Sequence, residues 1–113
     1  MSPRLLQIHV TFPSSADAER VAMALVELRL AACAQVGGPI QSVYRWQGAV
    51  EHAAEWTLLI KTTASHFEAV VEAVRERHGY DCPEIVATEI IDASDDYRRW
   101  LVAQVADIDS PSA

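Results

Sequence analysis

The chain has 113 residues, half of them hydrophobic and 22% charged, the composition of one globular domain long enough to bury about two-thirds of its unfolded surface. Its 9 Lys and Arg against 16 Asp and Glu leave a formal charge of -7, which argues against a nucleic-acid backbone or an anionic membrane surface as partner. No apolar run approaches the roughly 18 residues of a membrane span, and the Met1-Ser2-Pro3-Arg4 start has no secretory h-region; Cys33 and Cys82 form no CxxC, so reduced thiols in the cytoplasm are expected.

From Leu5 to Phe12 the residues alternate, with Leu6, Ile8, Val10 and Phe12 on one face, which predicts a half-covered strand ended by Pro13. Ser14 or Ser15 then caps a helix with Asp17 and Glu19 in its first turn. Ala18, Val21, Ala22, Leu25 and Leu28 form its apolar stripe, and it should end near Arg29 or Leu30. Ala31 to Val36 and Ile40 to Trp46 read as one strand bent at Gly37-Gly38-Pro39. Gln47-Gly48 makes the turn, and a return strand runs from about Val50 to Thr63, with Trp56, Leu58, Ile60 and Thr62 alternating against Thr57, Leu59 and Lys61.

Ser65-His66-Phe67-Glu68 matches a capping box. Phe67, Val70, Val71, Val74 and His78 follow at helical spacing, with Gly79 placed as a terminating glycine. Pro83 opens a last strand from Glu84 to Asp92, and Ser94 caps a third helix carrying Tyr97, Leu101 and Val105 on one stripe. The prediction is an α+β, ferredoxin-like βαββαβ sandwich with an antiparallel sheet, a long central hairpin and a C-terminal helix. Residues 1–106 are expected to form one domain and residues 107–113 a flexible tail.

The hairpin is too long for its helices. A strand of about 14 residues spans about 46 Å. Helices of roughly 16 and 13 residues cover only about 24 and 20 Å. The overhang carries Tyr44, Trp46 and Trp56 and leaves backbone edges open, so docking on further copies of the chain is expected.

Several stretches taken together resemble one family. They are Leu30-Ala31-Ala32-Cys33, Ser42-Val43-Tyr44-Arg45-Trp46-Gln47-Gly48, Leu59-Ile60-Lys61-Thr62, His78-Gly79-Tyr80-Asp81-Cys82-Pro83-Glu84 and Tyr97-Arg98-Arg99-Trp100-Leu101. In this order and spacing they are similar to the CutA family, the divalent-cation tolerance proteins, over roughly Leu5 to Val105. The resemblance implies a homotrimer similar to PII signalling proteins, a cytoplasmic role in copper and divalent-cation tolerance, and no defined reaction. Eukaryotic relatives are associated with membrane anchoring of acetylcholinesterase. The family's proposed copper ligands, a cysteine and two adjacent histidines, fall here on Val10, Arg77 and His78, so only His78 keeps a ligand.

His78, alone or with Cys82, is the candidate metal ligand, for copper or another divalent cation; otherwise it is a histidine complementing a helix C-terminus. Cys33, Tyr44, Trp46, Lys61, Glu84, Tyr97 and Trp100 are the candidate ligand-binding set at a cleft between subunits. Lys61 and Glu84 would either bind a small polar ligand, satisfy each other or, as a remoter reading, act as an acid–base pair. The plainer reading, and the favoured one, makes Cys33 a small core residue and the aromatic residues trimer packing. No P-loop, dinucleotide fingerprint, zincin motif or nucleophile elbow is present. Two functions follow: a cation-response trimer that binds a metal ion or small ligand, or an interaction trimer with no ligand of its own.

Overall fold

The alternating residues Leu5–Phe12 form strand β1, and their even-numbered side chains enter the core as the periodicity requires. A computed structural model of the protein describes residues 3–107. Helix α1 spans Ser15–Glu27, β2 Cys33–Trp46, β3 Ala49–Thr63, α2 Phe67–Arg77, β4 Ile85–Ile90 and α3 Asp95–Gln104. The sheet is antiparallel in the order β2-β3-β1-β4, so the two sequence-distant strands β1 and β3 lie at its centre. The expected tail lies outside the described residues except for Asp107.

One face of the sheet carries the main core. Leu6, Ile8, Val10 and Phe12 of β1 and Leu58 and Ile60 of β3 meet Ala18, Val21, Ala22 and Leu25 of α1 and Val70, Ala73 and Val74 of α2. Removing the larger of these side chains, the Leu, Ile, Val and Phe, from water stabilises the fold by roughly 2 kcal/mol each. On the other face, Leu5, Ala32, Leu101 and Val105 form a smaller cluster beneath α3. Thus α3 covers only one end of that face.

Both expected serine caps are present at α1 and α3: the Ser14 hydroxyl accepts from Asp17 N, and the Ser94 hydroxyl accepts from Tyr97 N. The end of α1 differs from expectation. It stops at Glu27, and Leu28 is exposed rather than part of the stripe. Arg29 takes a left-handed φ of 61°; its N–H bonds Val26 O while Leu30 N bonds Leu25 O, a Schellman closure without glycine. What holds Arg29 there is tertiary. Its guanidinium donates to Gln104 O and Ala103 O, 3.0 Å each, and so caps the C-terminus of α3.

The Ser65 capping box does not form. Ala64–His66 make a 3-10 turn, Ser65 Oγ pairs with Thr63 Oγ1, and α2 starts with no side-chain cap. The buried His66 instead bonds Thr63 Oγ1 at the end of β3 and Ala106 O in the segment that follows α3. Nor does Gly79 terminate α2. His78 is already extended, with φ -93° and ψ 142°, and its ring bonds Thr11 O of β1. The last strand is shorter than expected, Ile85–Ile90, because pairing with β1 runs only from Val10 opposite Ile85 to Leu5 opposite Ile90. Strand β2 likewise begins at Cys33 rather than Ala31.

The hairpin is as long as the sequence predicted. Its turn is Gln47-Gly48, both at positive φ, between the paired Trp46 and Ala49. The bend is a bulge. Gly37 pairs with Thr57, but Ile40 pairs with Glu55, so Gly38 and Pro39 stand opposite Trp56 alone. Gly38 has a φ of 122°, and a Cβ there would lie 3.1 Å from the backbone of Glu55 and Trp56. The shift changes parity. Before the bulge, odd residues of β2 share a face with odd residues of β3; beyond it, Tyr44 faces Glu51 and Trp46 faces Ala49. Ser42, Tyr44 and Trp46 therefore sit on the same face as Cys33 and Lys61, whereas an unbroken strand would put them opposite.

Candidate functional site

Two concavities open on the face of the sheet that α1 and α2 leave free. The larger, of about 600 Å³, lies between the hairpin arm and the loop after α2. Tyr44 and Trp46 come to it from β2, Glu55 from β3, and Tyr80, Asp81 and Glu84 from the loop. The Tyr80 hydroxyl donates to Glu55 Oε2 at 3.0 Å, and Glu55 is only 8% exposed. Burial, then the bond to Glu55, push the Tyr80 phenol up to about 12.

His78 forms the floor of the loop rather than an open ligand. It stacks on Phe12 at 4.4 Å and lies 4.7 Å from the Tyr80 ring. Its Nδ1 accepts from Tyr80 N at 3.1 Å, which leaves Nε2 to donate to Thr11 O at 2.7 Å. To hold a metal it must release one of these bonds. The two other positions aligned with copper ligands offer none: Val10 is fully buried in the core, and Arg77 donates to Ala73 O of its own helix. Among the described residues no three His, Cys, Asp or Glu are grouped to hold a metal ion.

The smaller concavity, of about 340 Å³, lies at the other end of β3, beneath α3, and includes Gln7, Lys61, Asp92 and Tyr97. Cys33 and Lys61 are cross-strand partners. The Cys33 thiol meets the Tyr97 hydroxyl at 3.5 Å, and the Tyr97 and Trp100 rings are 5.5 Å apart. The contact with Cys33, then burial, push the Tyr97 phenol up to about 12.

The residues expected to share one cleft thus divide within the chain. Tyr44, Trp46 and Glu84 lie at the arm; Cys33 and Lys61 lie at the other end, with Tyr97 and Trp100 of α3. Lys61 and Glu84 do not pair in one chain. Lys61 Nζ donates to Gln35 Oε1 at 2.7 Å, while Glu84 meets His9 Nδ1 at 2.9 Å. The register explains why: Lys61 pairs with Gln7, whose partner on its other side is Thr88, four residues along the chain from Glu84. Trp56 pairs with Phe12 and belongs to the helix-covered side of β3. The sequence reading missed Glu55 and Tyr80. Tyr80 stood inside a quoted motif, but Glu55 could be placed beside Tyr44 only with the bulge counted.

Residues 6–104 match the sequence profile of a family described as CutA1 divalent ion tolerance protein. A divalent-cation tolerance protein CutA of Thermus thermophilus is 45% identical over 92 residues, covering 81% of this chain and 89% of that protein. A chloroplastic CutA protein of Arabidopsis thaliana is 39% identical over 83% of this chain, which spans only 52% of that longer protein. The crystal structure of CutA1 from Oryza sativa superposes with a TM-score of 0.90 at 34% identity, covering 93% of this chain and 96% of that one.

Proposed function

Because the chain belongs to the CutA1 divalent ion tolerance family, we propose that it serves tolerance to divalent cations, copper among them, as a cytoplasmic homotrimer. In this reading, clefts bordering the contacts between copies bind a small ligand or a metal ion. The observation that carries it is the bare outer half of the hairpin. Val43 and Val50 are 71% and 64% exposed, and Tyr44 and Trp46 stand out beside them. An apolar two-stranded arm is marginal in water by itself, and further copies of the chain are the partner always at hand. Both groups of candidate residues then border the contact. The free thiols of Cys33 and Cys82 suit a reducing compartment.

Light scattering at micromolar concentration should return three times the 12.4 kDa of one chain; a single-chain mass refutes the assembly. Calorimetric titration with copper, zinc and a panel of small metabolites tests the clefts, and absence of both heat and thermal shift at millimolar ligand refutes binding. The alternative, a trimer that acts through protein contacts alone, draws support from Val86, exposed on the free edge strand β4, and Ile91, exposed just past its end. It predicts that silent result.

A further inference from the structure

We infer that the place where the resemblance puts copper ligands is, in this chain, a closed clasp and not a metal site: His78 commits both ring nitrogens to seating the loop after α2. This deepens the reading above by narrowing its metal branch, since a divalent cation that the protein answers to is then not held through His78. Helix α2 ends at Arg77, and His78 leaves it in extended backbone with its ring bonded to β1. Each ring nitrogen faces a partner that can play one part only. Thr11 O is a carbonyl, so Nε2 carries the proton that meets it at 2.7 Å. Tyr80 N is a donor, so Nδ1 meets it at 3.1 Å with its lone pair. A metal ion binds imidazole through a lone pair, and this one is taken. The buried Phe12 ring stacks on the imidazole at 4.4 Å, with 21° between the planes, and so holds it in this orientation. Freeing Nδ1 would leave the Tyr80 N–H without its acceptor and loosen the residue whose hydroxyl partners the buried Glu55.

The donor set around the ring points the same way. Val10 carries no donor atom and is fully buried in the core. Arg77 has no lone pair to give, and its guanidinium donates to Ala73 O and Glu76. Arg20, also paired with Asp17, reaches from α1 to donate to Arg77 O at 3.2 Å. A guanidinium thus rests on the peptide that leads into His78, where a divalent cation would meet like charge. Cys82, exposed on the loop, adds at most one thiolate, and no three His, Cys, Asp or Glu are grouped among the described residues. Imidazole, thiolate and carboxylate are the donors that copper and zinc select, and they do not converge here. His78 is a positioning residue instead. It ties the end of α2 to β1 and, through Tyr80 and Glu55, to β3.

The test is nitrogen-15 NMR of the full chain with zinc(II) as a diamagnetic probe, beside calorimetry with copper(II). The His78 ring should show the Nε2–H tautomer and keep it through an equivalent of zinc. His78→Ala should speed exchange of the Tyr80 amide about tenfold, and His78→Gln, which keeps one donor and one acceptor, should restore its protection. Copper(II) should bind the parent and His78→Gln alike, within about twofold, whereas removal of a ligand weakens binding about tenfold or more. Zinc shifting the His78 nitrogens together with the Tyr80 amide overturns the inference, as does a tenfold loss of copper affinity in His78→Gln. Either result leaves the tolerance reading standing, with its metal at His78. Unchanged Tyr80 exchange in His78→Ala overturns the clasp; should that variant not fold, the tautomer and the zinc titration of the parent decide. A single-chain mass in light scattering removes the assembly but not the clasp, whose bonds all lie within one chain.

Discussion

Strand β3 passes through two environments without changing its pairing. From Leu58 to Thr63 its even-numbered side chains are buried beneath α1 and α2, and Thr62 donates its hydroxyl to Leu30 O at 2.8 Å. From Ala49 to Ala54 it is joined to β2 by the same ladder, yet Val50 is mostly exposed and no helix lies above it. The boundary falls at Glu55 and Trp56, opposite the bulge in β2. Backbone hydrogen bonds are alike in the two halves; the hydrophobic layer is not. Continuity of a strand is therefore no measure of where a domain stores its stability, and the half with the ladder alone is the half free to meet a partner or ligand.

Substitutions on either side of the boundary should separate these roles. Leu58→Ala empties a fully buried position and should cost about 3 kcal/mol in denaturant unfolding. On the proposed assembly through the arm, Trp46→Ala should instead lower the mass in light scattering and make melting steeply dependent on protein concentration. A Leu58→Ala variant as stable as the parent would refute the assignment of the core. Gly38→Ala forces a side chain into left-handed backbone against Glu55 and Trp56, for about 2 kcal/mol, and should disturb arm resonances before core ones in NMR spectra. Arg29→Ala removes both caps on α3, for about 1 kcal/mol, read as faster amide exchange in α3 than in α1.

The smallest effect is confined to high pH. Tyr80 and Tyr97, one at each end, have folded phenols raised to about 12 against an ordinary value near 10. Each contribution is fully present below pH 10 and is lost as pH rises from about 10 to 12. Ultraviolet titration should show Tyr80 and Tyr97 ionising late, and Glu55→Gln should move only Tyr80 back toward 10. Both tyrosines moving together would mean that the two ends are not independent.

The parts legible from sequence were those set by local pattern: strand phase, the Gln47-Gly48 turn, the Ser14 and Ser94 caps, and the length of the hairpin. The parts that escaped depend on distant partners. Ser65 has the spacing of a capping box, but the chain closes there around His66 and Ala106, forty residues apart. Arg29 gives no local hint of left-handed backbone, since its reward lies in carbonyls 74 and 75 residues away. Lys61 and Glu84 both belong to the free face, but only the pairing register reveals that β1 offsets them. The residues of the candidate site were mostly recognisable; their grouping was not, because grouping is decided by register.

The bulge at Gly38-Pro39 makes the arm a matter of counting. Adding or removing one residue there would leave composition and turn untouched, yet would rotate Ser42, Tyr44 and Trp46 to the opposite side of the sheet. Relatives with the same aromatic residues but a different number of residues between Gly37 and Ile40 would display a different surface. In this hairpin, an insertion of one is a larger change than the replacement of any single ring.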